Sequence, residues 1–483
     1  MERSEAEAIY DSGREACVEF LMGLMDRQLR SEERLRALEQ KTLASSRNSS
    51  SPPSTDAPRT RQQRRAEARE KAKELARKDG KRRQAGGQSG HPGVGRELLS
   101  EEQMHEIVDH YPDECGGCGR QFADGEKIPR HGPGRHQVAE LPPTAVVYTE
   151  HRTHRLRCSG CRKRTRARLE TVGESAFGPG LQAAVVALTA RNRISRRDLS
   201  ELLGELFGVG ISVGAIDRIC QRTSAVLAGP HQRLISQVLG SGAINVDETG
   251  WFLAGENRWM WTAATPAAAI FQIAEDRHSD RLTELLGPDF HGIVTSDRWW
   301  AYNLLDPERR QACWSHLVRD FRFHSEGLAA QQEFGQAGLA LTDRIFTIWH
   351  AYLAHHDRDR LVREIKPVQD ELRGLLEHAA KKSKRHRLHR RFAGNLIKIW
   401  PALWTFITTP GVTPTNNAAE RALRGPVIHR RISHGNQSAD GERFTERSLS
   451  ASVSCRLQHR SLLTYLRELL TANQTGGALP TLL

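Results

Sequence analysis

The sequence predicts a multidomain protein organised around an α/β core, with helical and cysteine-bearing modules ahead of the core and a helical insertion within it. Three observations carry that fold class. At 483 residues the chain exceeds what one ordinary hydrophobic core accommodates. Its apolar spacing is helical from Gly180 to Val226, strand-like from Ser241, and helical again from about Gly327. Two Cys-x-x-Cys pairs, Cys115/Cys118 and Cys158/Cys161, stand apart from these regions and mark a small module of their own.

Bulk charge narrows the function classes. A formal net charge of +13 favours a polyanionic partner, nucleic acid ahead of an anionic membrane surface, and supplies affinity without sequence information. No stretch approaches the roughly 20 apolar residues of a membrane helix. Met1-Glu-Arg-Ser-Glu-Ala-Glu lacks the basic and apolar regions of a secretory signal, so a cytoplasmic protein is expected. In that reducing compartment the paired cysteines point to metal rather than disulfides, while Cys17, Cys220, Cys313 and Cys455 are scattered.

Residues 1–44 read as a charged helix. Leu21, Leu24, Leu35 and Leu38 fall on heptad positions, but Gln28 and Ser31 interrupt the seam, so self-association as a coiled coil and a solvated helix both fit. Residues 45–98, Ser- and Pro-rich and then dense in Lys and Arg from Arg59 to Arg83, cannot bury enough apolar surface to order themselves. They form a linker, whether a basic arm on DNA phosphates or a plain tether. In residues 99–172 the two cysteine pairs flank a strand-like stretch from Ala145 to Arg157. Four thiolates suit a closed tetrahedral site of structural Zn²⁺, with a glycine inside each turn letting the backbone wrap the ion. Arg155, Arg157, Arg162, Lys163 and Arg164 would make this module a DNA-contacting ribbon. Residues 173–238 are helical. A helix capped by Ser195, a glycine-containing turn at Gly208-Val-Gly, and a second helix beginning at Ser212 suit a helix-turn-helix with Arg218 toward DNA, or a hairpin that only packs.

Residues 239–326 carry the strand pattern. Ala243–Val246, Trp259–Ala264 and Ala268–Ala274 form an antiparallel meander; a helix over Ser279–Leu286, a strand over Gly292–Thr295, and a further strand and helix near Gln311–Phe321 follow. That order is the one expected of a ribonuclease-H-like core. Residues 327–410 are a helical insertion with a basic run, Lys381 to Arg391, and residues 411–483 complete the core.

Three acids stand out in this frame. Asp247 lies in Val246-Asp-Glu-Thr-Gly-Trp251 where the strand passes toward a turn, Asp297 follows Ile293-Val-Thr-Ser296, and Glu420 sits among helix formers. Two strand-borne aspartates and one helix-borne glutamate can hold two Mg²⁺ or Mn²⁺ ions about 3.5–4 Å apart against a phosphodiester. The competing readings are a surface pair of Glu420 with Arg424 at i,i+4, and Glu248 in place of Asp247; alternation along a strand sets those two acids on opposite faces. Cys313 and His316 could begin a second zinc site, but no partner pair is evident in the sequence, so a core-positioning role is expected; Asn416 and Asn417 could cap the helix of Glu420 or touch DNA, with capping the default.

Together, Val246-Asp-Glu-Thr-Gly-Trp251, Ser296-Asp297 with Tyr302, Cys313-Trp-Ser-His316-Leu-Val-Arg319-Asp-Phe321, Asn416-Asn-Ala-Ala-Glu-Arg-Ala-Leu-Arg424 and Gly441-Glu442-Arg443 resemble the DDE transposases of the insertion sequence 66 family, over roughly residues 100–470. The cysteine module is similar to that family's zinc-binding domain. The resemblance implies catalytic acids at Asp247, Asp297 and Glu420, contacts to double-stranded transposon-end and target DNA that include Arg421 and Arg424, a homo-oligomer holding two ends, and small companion proteins. Arg298-Trp299-Trp300 departs from the family pattern, and the helix-turn-helix stretch matches it only loosely. A nuclease without strand transfer, or an inactive DNA-binding regulator, are the alternatives.

Overall fold

The computed structural model describes residues 10–42, 98–123, 134–139, 146–168, 175–327, 329–381 and 387–482. Most of the expected linker, including its basic run, and the centre of the Lys381–Arg391 run lie outside these residues. The chain divides into two compact units, Ala57–Ala145 and the remainder, Met1–Asp56 with Val146–Leu483. Among the described residues no helix is long and apolar enough to cross a membrane.

In the larger unit, α1 (Arg14–Thr42) leaves Leu21 and Leu24 exposed. A two-stranded ribbon, β1 (Arg155–Arg157) and β2 (Arg164–Arg166), brackets the second cysteine pair. Three helices follow: α2 (Pro179–Ala190), α3 (Arg196–Phe207) and α4 (Val213–Leu239). Ser195 Oγ and Ser212 Oγ accept the N–H groups of Asp198 and Ala215, so each serine satisfies a donor the helix start would otherwise orphan. Ile216, Ile219, Leu227, Leu234 and Val238 bury one face of α4 in the main core, while Arg218 faces out.

The core is a mixed five-stranded sheet in the order β5-β4-β3-β6-β7. β3 (Ala243–Leu253), β4 (Glu256–Ala264) and β5 (Ala269–Ala274) form the antiparallel meander; β6 (Ile293–Ser296) and β7 (Arg310–Ala312) join it in parallel after α5 (Ser279–Leu286). β3 is longer than the apolar run predicts. Gly250-Trp251 reads as the start of a turn, yet Gly250 pairs with Trp259 inside the strand. A Cβ there would lie 2.9 Å from Arg430 Nη1, so the glycine admits a guanidinium rather than a turn. The hairpin closes instead at Ala254-Gly255, both at positive φ, the twist a two-residue connection between antiparallel strands requires.

α6 (Trp314–Ser325) leads from β7 into α7 (Ala329–His355), α8 (Arg358–Lys381) and α9 (Arg387–Lys398). Trp314, Leu317 and Phe321 of α6 join Phe334, Ile345, Leu372 and Leu396 in a second core. After α10 (Thr405–Thr408), the chain returns to the sheet through α11 (Asn417–Ser433), then finishes with α12 (Ala439–Leu457) and α13 (Leu462–Thr475). Asn436, between α11 and α12, binds the hairpin: its Oδ1 accepts the buried Trp251 indole N–H at 2.7 Å, and its backbone exchanges hydrogen bonds with Phe252 and Ala254. Gly435 beside it has φ 89° and approaches Phe252 so closely that a Cβ would stand 2.2 Å from the Phe252 carbonyl oxygen.

An edge strand presents unpaired N–H groups. On β5 those of Ala269, Phe271 and Ile273 are taken by Ser454 Oγ, Ser450 Oγ and Glu446 Oε1, spaced four residues apart on one face of α12. Burial pushes the Glu446 carboxyl up to about 7. The unfolded chain therefore releases this proton first, so stability falls as pH rises from the ordinary glutamate range to about 7 and levels off above it. Glu446→Gln, which keeps an acceptor for Ile273, is expected to match the native chain near pH 4 and exceed it by about 3 kcal/mol above pH 7. Urea unfolding at the two pH values measures this; equal stability of the two proteins at pH 8 contradicts it.

Candidate active site

The parallel register of β3 and β6 pairs Asn245 with Thr295. Continued two residues, it sets Asp247 beside Asp297, and two-residue steps keep both on one face of the sheet. Asp247 sits mid-strand opposite Thr262 of β4 rather than at a strand end. Asp297 is the first residue after β6. Its Oδ1 accepts the Trp299 N–H at 2.8 Å, and the buried Arg310 guanidinium grips the same loop. Arg310 Nη2 donates to the Asp297 carbonyl at 2.7 Å and Nη1 to the Tyr302 carbonyl at 3.1 Å.

Glu420 lies in the first turn of α11, 26 % exposed by side chain. What brings it to the sheet is Asn416, fully buried at the helix start. Its side chain makes no cap. Nδ2 donates to the Val246 carbonyl at 2.8 Å, Oδ1 accepts from Asn245 Nδ2 at 3.1 Å, and the Asn416 N–H meets Cys313 Sγ at 3.1 Å. The capping role expected from sequence is thus replaced by a staple to β3: Asn245 Nδ2 takes the Oδ1 acceptor that a cap would use, and the Val246 carbonyl, one residue before Asp247, takes the amide N–H. Among the described residues Glu420 forms no ion pair with Arg424; its Oε1 lies 3.8 Å from His316 Nδ1. Arg421 and Arg424 are exposed.

The electrostatics follow from this crowding. Burial, then the charges of Glu248, Asp297 and Glu420, hold the Asp247 carboxyl well above the usual carboxylate range. Glu248 is no outlying surface acid: burial and Asp297 push it up to about 8, and its Oε2 accepts the Tyr302 hydroxyl at 2.6 Å. Burial lowers the His316 pKa, and Arg319 Nη1 lies 3.4 Å from its Nε2. Acids that repel one another this strongly are what a divalent cation relieves. Glu420 Oε1 and His316 Nδ1 are buried without a hydrogen-bond partner. One ligand atom each from Cys313, His316 and Glu420 lies within 4.8 Å of the others. Sequence reasoning found no partner for Cys313 and His316, because Glu420 reaches them only through the fold. Arg310 gave no signal as a support, and neither the Asn416 expected as a cap nor Tyr302 announced the contact that each makes here.

The cysteine pairs are two copies of one turn. Cys115 N–H donates to Arg120 O and Gly119 N–H to Cys115 O; Cys158 N–H donates to Lys163 O and Arg162 N–H to Cys158 O. The left-handed residue that completes each wrap is the one after the second cysteine, Gly119 (φ 72°) and Arg162 (φ 59°), not the glycine inside the motif. Backbone N–H groups of Gly117 and Cys118, and of Cys161 and Gly160, lower the Cys115 and Cys158 thiol pKa values. Arg155, Arg157, Arg162, Lys163 and Arg164 are all exposed around the second turn.

The model of the transposase IS66 family matches residues 174–443, more than half of the chain and a span that contains all three acids. The chain belongs to the transposase IS66 family. It is therefore a transposase, an enzyme that acts on DNA. A second model, a family of unknown function (DUF6444), matches residues 3–97. No protein of curated function matches the chain. The cysteine module lies between the two matched spans.

Asn416→Ala removes the staple and is expected to cost about 1–3 kcal/mol, the penalty of taking the Asn416 amide from the buried Val246 carbonyl. Any rise in melting temperature on adding Mg²⁺ or Mn²⁺ should be smaller in this variant, since Glu420 would no longer be held beside Asp247. Thermal unfolding with and without the ion measures both.

Proposed function

We propose that this transposase mobilises an insertion sequence, cutting DNA at the element's ends and joining the freed 3′-hydroxyl to target DNA. The observation that carries the reading is the β3–β6 register, whose last pair, Asn245 with Thr295, continued two residues sets Asp247 beside Asp297, while Asn416 fastens the helix of Glu420 to the same strand. The strand order, three antiparallel and then two parallel, supports a ribonuclease-H-like core split by a helical insertion over 327–410. Asp247, Asp297 and Glu420 would hold two Mg²⁺ or Mn²⁺ ions, and the repulsion among these acids fits that load. Bound there, such ions lower the pKa of the attacking water or hydroxyl and neutralise the departing oxyanion.

The chain's own residues do the rest. Arg310 fixes the Asp297 loop, Tyr302 donates its hydroxyl to Glu248 and restrains that acid, and His316 stands against Glu420. The turns of Cys115 with Cys118 and of Cys158 with Cys161 would each offer thiolates to structural Zn²⁺, favoured by the turn N–H groups. The exposed Arg155, Arg157, Arg162, Lys163, Arg164, Arg218, Arg421 and Arg424 supply contacts to transposon-end and target duplexes. Holding two ends at once calls for a homo-oligomer, acting on chromosomal DNA in the cytoplasm, with small companion proteins in attendance. The segments 1–44, 45–98, 99–172, 173–238, 239–326, 327–410 and 411–483 divide these tasks.

Purified protein with end-sequence DNA and Mg²⁺ or Mn²⁺ tests this directly. Asp247→Asn, Asp297→Asn and Glu420→Gln should each reduce cleavage and joining by about a thousandfold or more, while DNA binding persists. Variants as active as the native chain would overturn the assignment, and cleavage without joined product would make the enzyme a nuclease.

A further inference from the structure

Arg298-Trp299-Trp300, directly after Asp297, is not consumed by the chemistry just described. Its first two members are structural. Arg298 forms an ion pair with Asp320 and lies 5.0 Å from the Phe392 ring centre. Trp299 is packed beneath Arg277, whose guanidinium stands 3.5 Å from the Trp299 ring and 4.4 Å from the Trp259 ring; its indole N–H donates to the Arg277 carbonyl at 3.3 Å.

Trp300 has no such duty. Of the nine tryptophans in the chain it alone is exposed, at 48 %. Its ring rests against Trp299 at 5.9 Å and His278 at 5.6 Å, so the backing is fixed while a large aromatic face stays open to water. The position matters as much as the exposure. Trp300 is three residues beyond Asp297, on backbone that the Asp297 carboxylate itself ties down through the Trp299 N–H. Arg277, the clamp on Trp299, also acts on the Glu248 charge, so the ring that backs Trp300 lies near the acid cluster.

A basic side chain here would compete with cations for the acids. An aromatic face grips nucleic acid without charge, through stacking, and every base offers a π-face. In an intact duplex those faces are covered by neighbouring pairs, so only an unpaired or extruded nucleotide can stack. We propose that Trp300, backed by Trp299 and His278, is a stacking shelf for one unpaired nucleobase of the DNA strand engaged at the acid cluster. This rests on the DNA-cutting reading of that cluster and adds a ligand subsite to it.

The test uses the full-length protein in Ca²⁺, so that binding is read without turnover. The probes are mixed-sequence duplexes that are blunt or carry a short single-stranded overhang, and overhangs containing 2-aminopurine report stacking by fluorescence. The native chain should prefer the overhang. Trp300→Ala should lose about 5- to 150-fold in overhang affinity, the range produced by removing one aromatic stacking partner. Its blunt-duplex affinity and urea midpoint should not change, and Trp300→Phe should keep most of the preference. A native chain that binds both DNAs equally, or a Trp300→Ala protein that keeps the preference and the 2-aminopurine signal, overturns the shelf. Neither result bears on the acids, whose assignment stands or falls on the Asp247, Asp297 and Glu420 variants in Mg²⁺.

Discussion

One buried carboxamide holds the acid cluster together. Asn416 reaches from the start of α11 to the Val246 carbonyl and to Asn245, and its own N–H lies on the Cys313 thiol. Three segments far apart in the chain meet at this residue. The arrangement has to be held by something other than the acids, because the acids push apart: the neighbouring charges raise the Asp247 pKa on top of burial. A neutral staple with both amide functions satisfied adds no charge to that field and leaves no orphaned polar group behind.

A second layer stiffens the same site from beneath. Arg310, 1 % exposed, is a cation enclosed in the core, and burial brings its pKa down to about 10. Its partners are mostly oxygens of the loop after β6: the Asp297 and Tyr302 carbonyls, the Asn303 side chain and Ser296 Oγ. Such a fork of donors fixes direction as well as distance. Asp297 therefore sits on backbone with little freedom, and Tyr302, held by the same fork, offers its hydroxyl to Glu248. The loop that positions one acid thus also restrains another.

How much of this was legible in the sequence depends on the range of the interaction. The strand runs around Asp247 and Asp297 are local patterns, and once the strands are recognised the shared face follows from their period of two. The end of β3 was not legible: Gly250 looks like punctuation, and only the approach of Arg430, 180 residues on, explains it as a close contact inside a strand. Asn416 invited the reading of a cap, since local rules favour that role, and the Asn245 amide, 171 residues away, takes the oxygen a cap would use. Cys313 and His316 lacked a visible third partner for the same reason. In the cysteine turns the glycines inside the motif suggested the wrap, whereas the strained position is Arg162, whose backbone angle no local preference announces.

The long gap between Asp297 and Glu420 raises the question of how a helical insertion can enter the core without loosening it. The contacts at its exit answer this. Thr405 Oγ1 donates to the Arg310 carbonyl at 2.6 Å, the Phe406 N–H meets Gln311 Oε1 at 2.8 Å, and the Trp314 indole donates to Leu403 O at 2.8 Å. The chain leaving the insertion is thereby fastened along β7, the second edge of the sheet, which also covers that edge against further pairing. A few residues later the Trp314 N–H takes the Pro414 carbonyl, and Asn416 closes the path onto β3. Entry through α6 and exit through residues 401–416 are therefore both anchored to the same sheet. Glu420 is positioned by these anchors and not by the length of α7, α8 and α9, so the acids keep their spacing whatever the length of the helices between them.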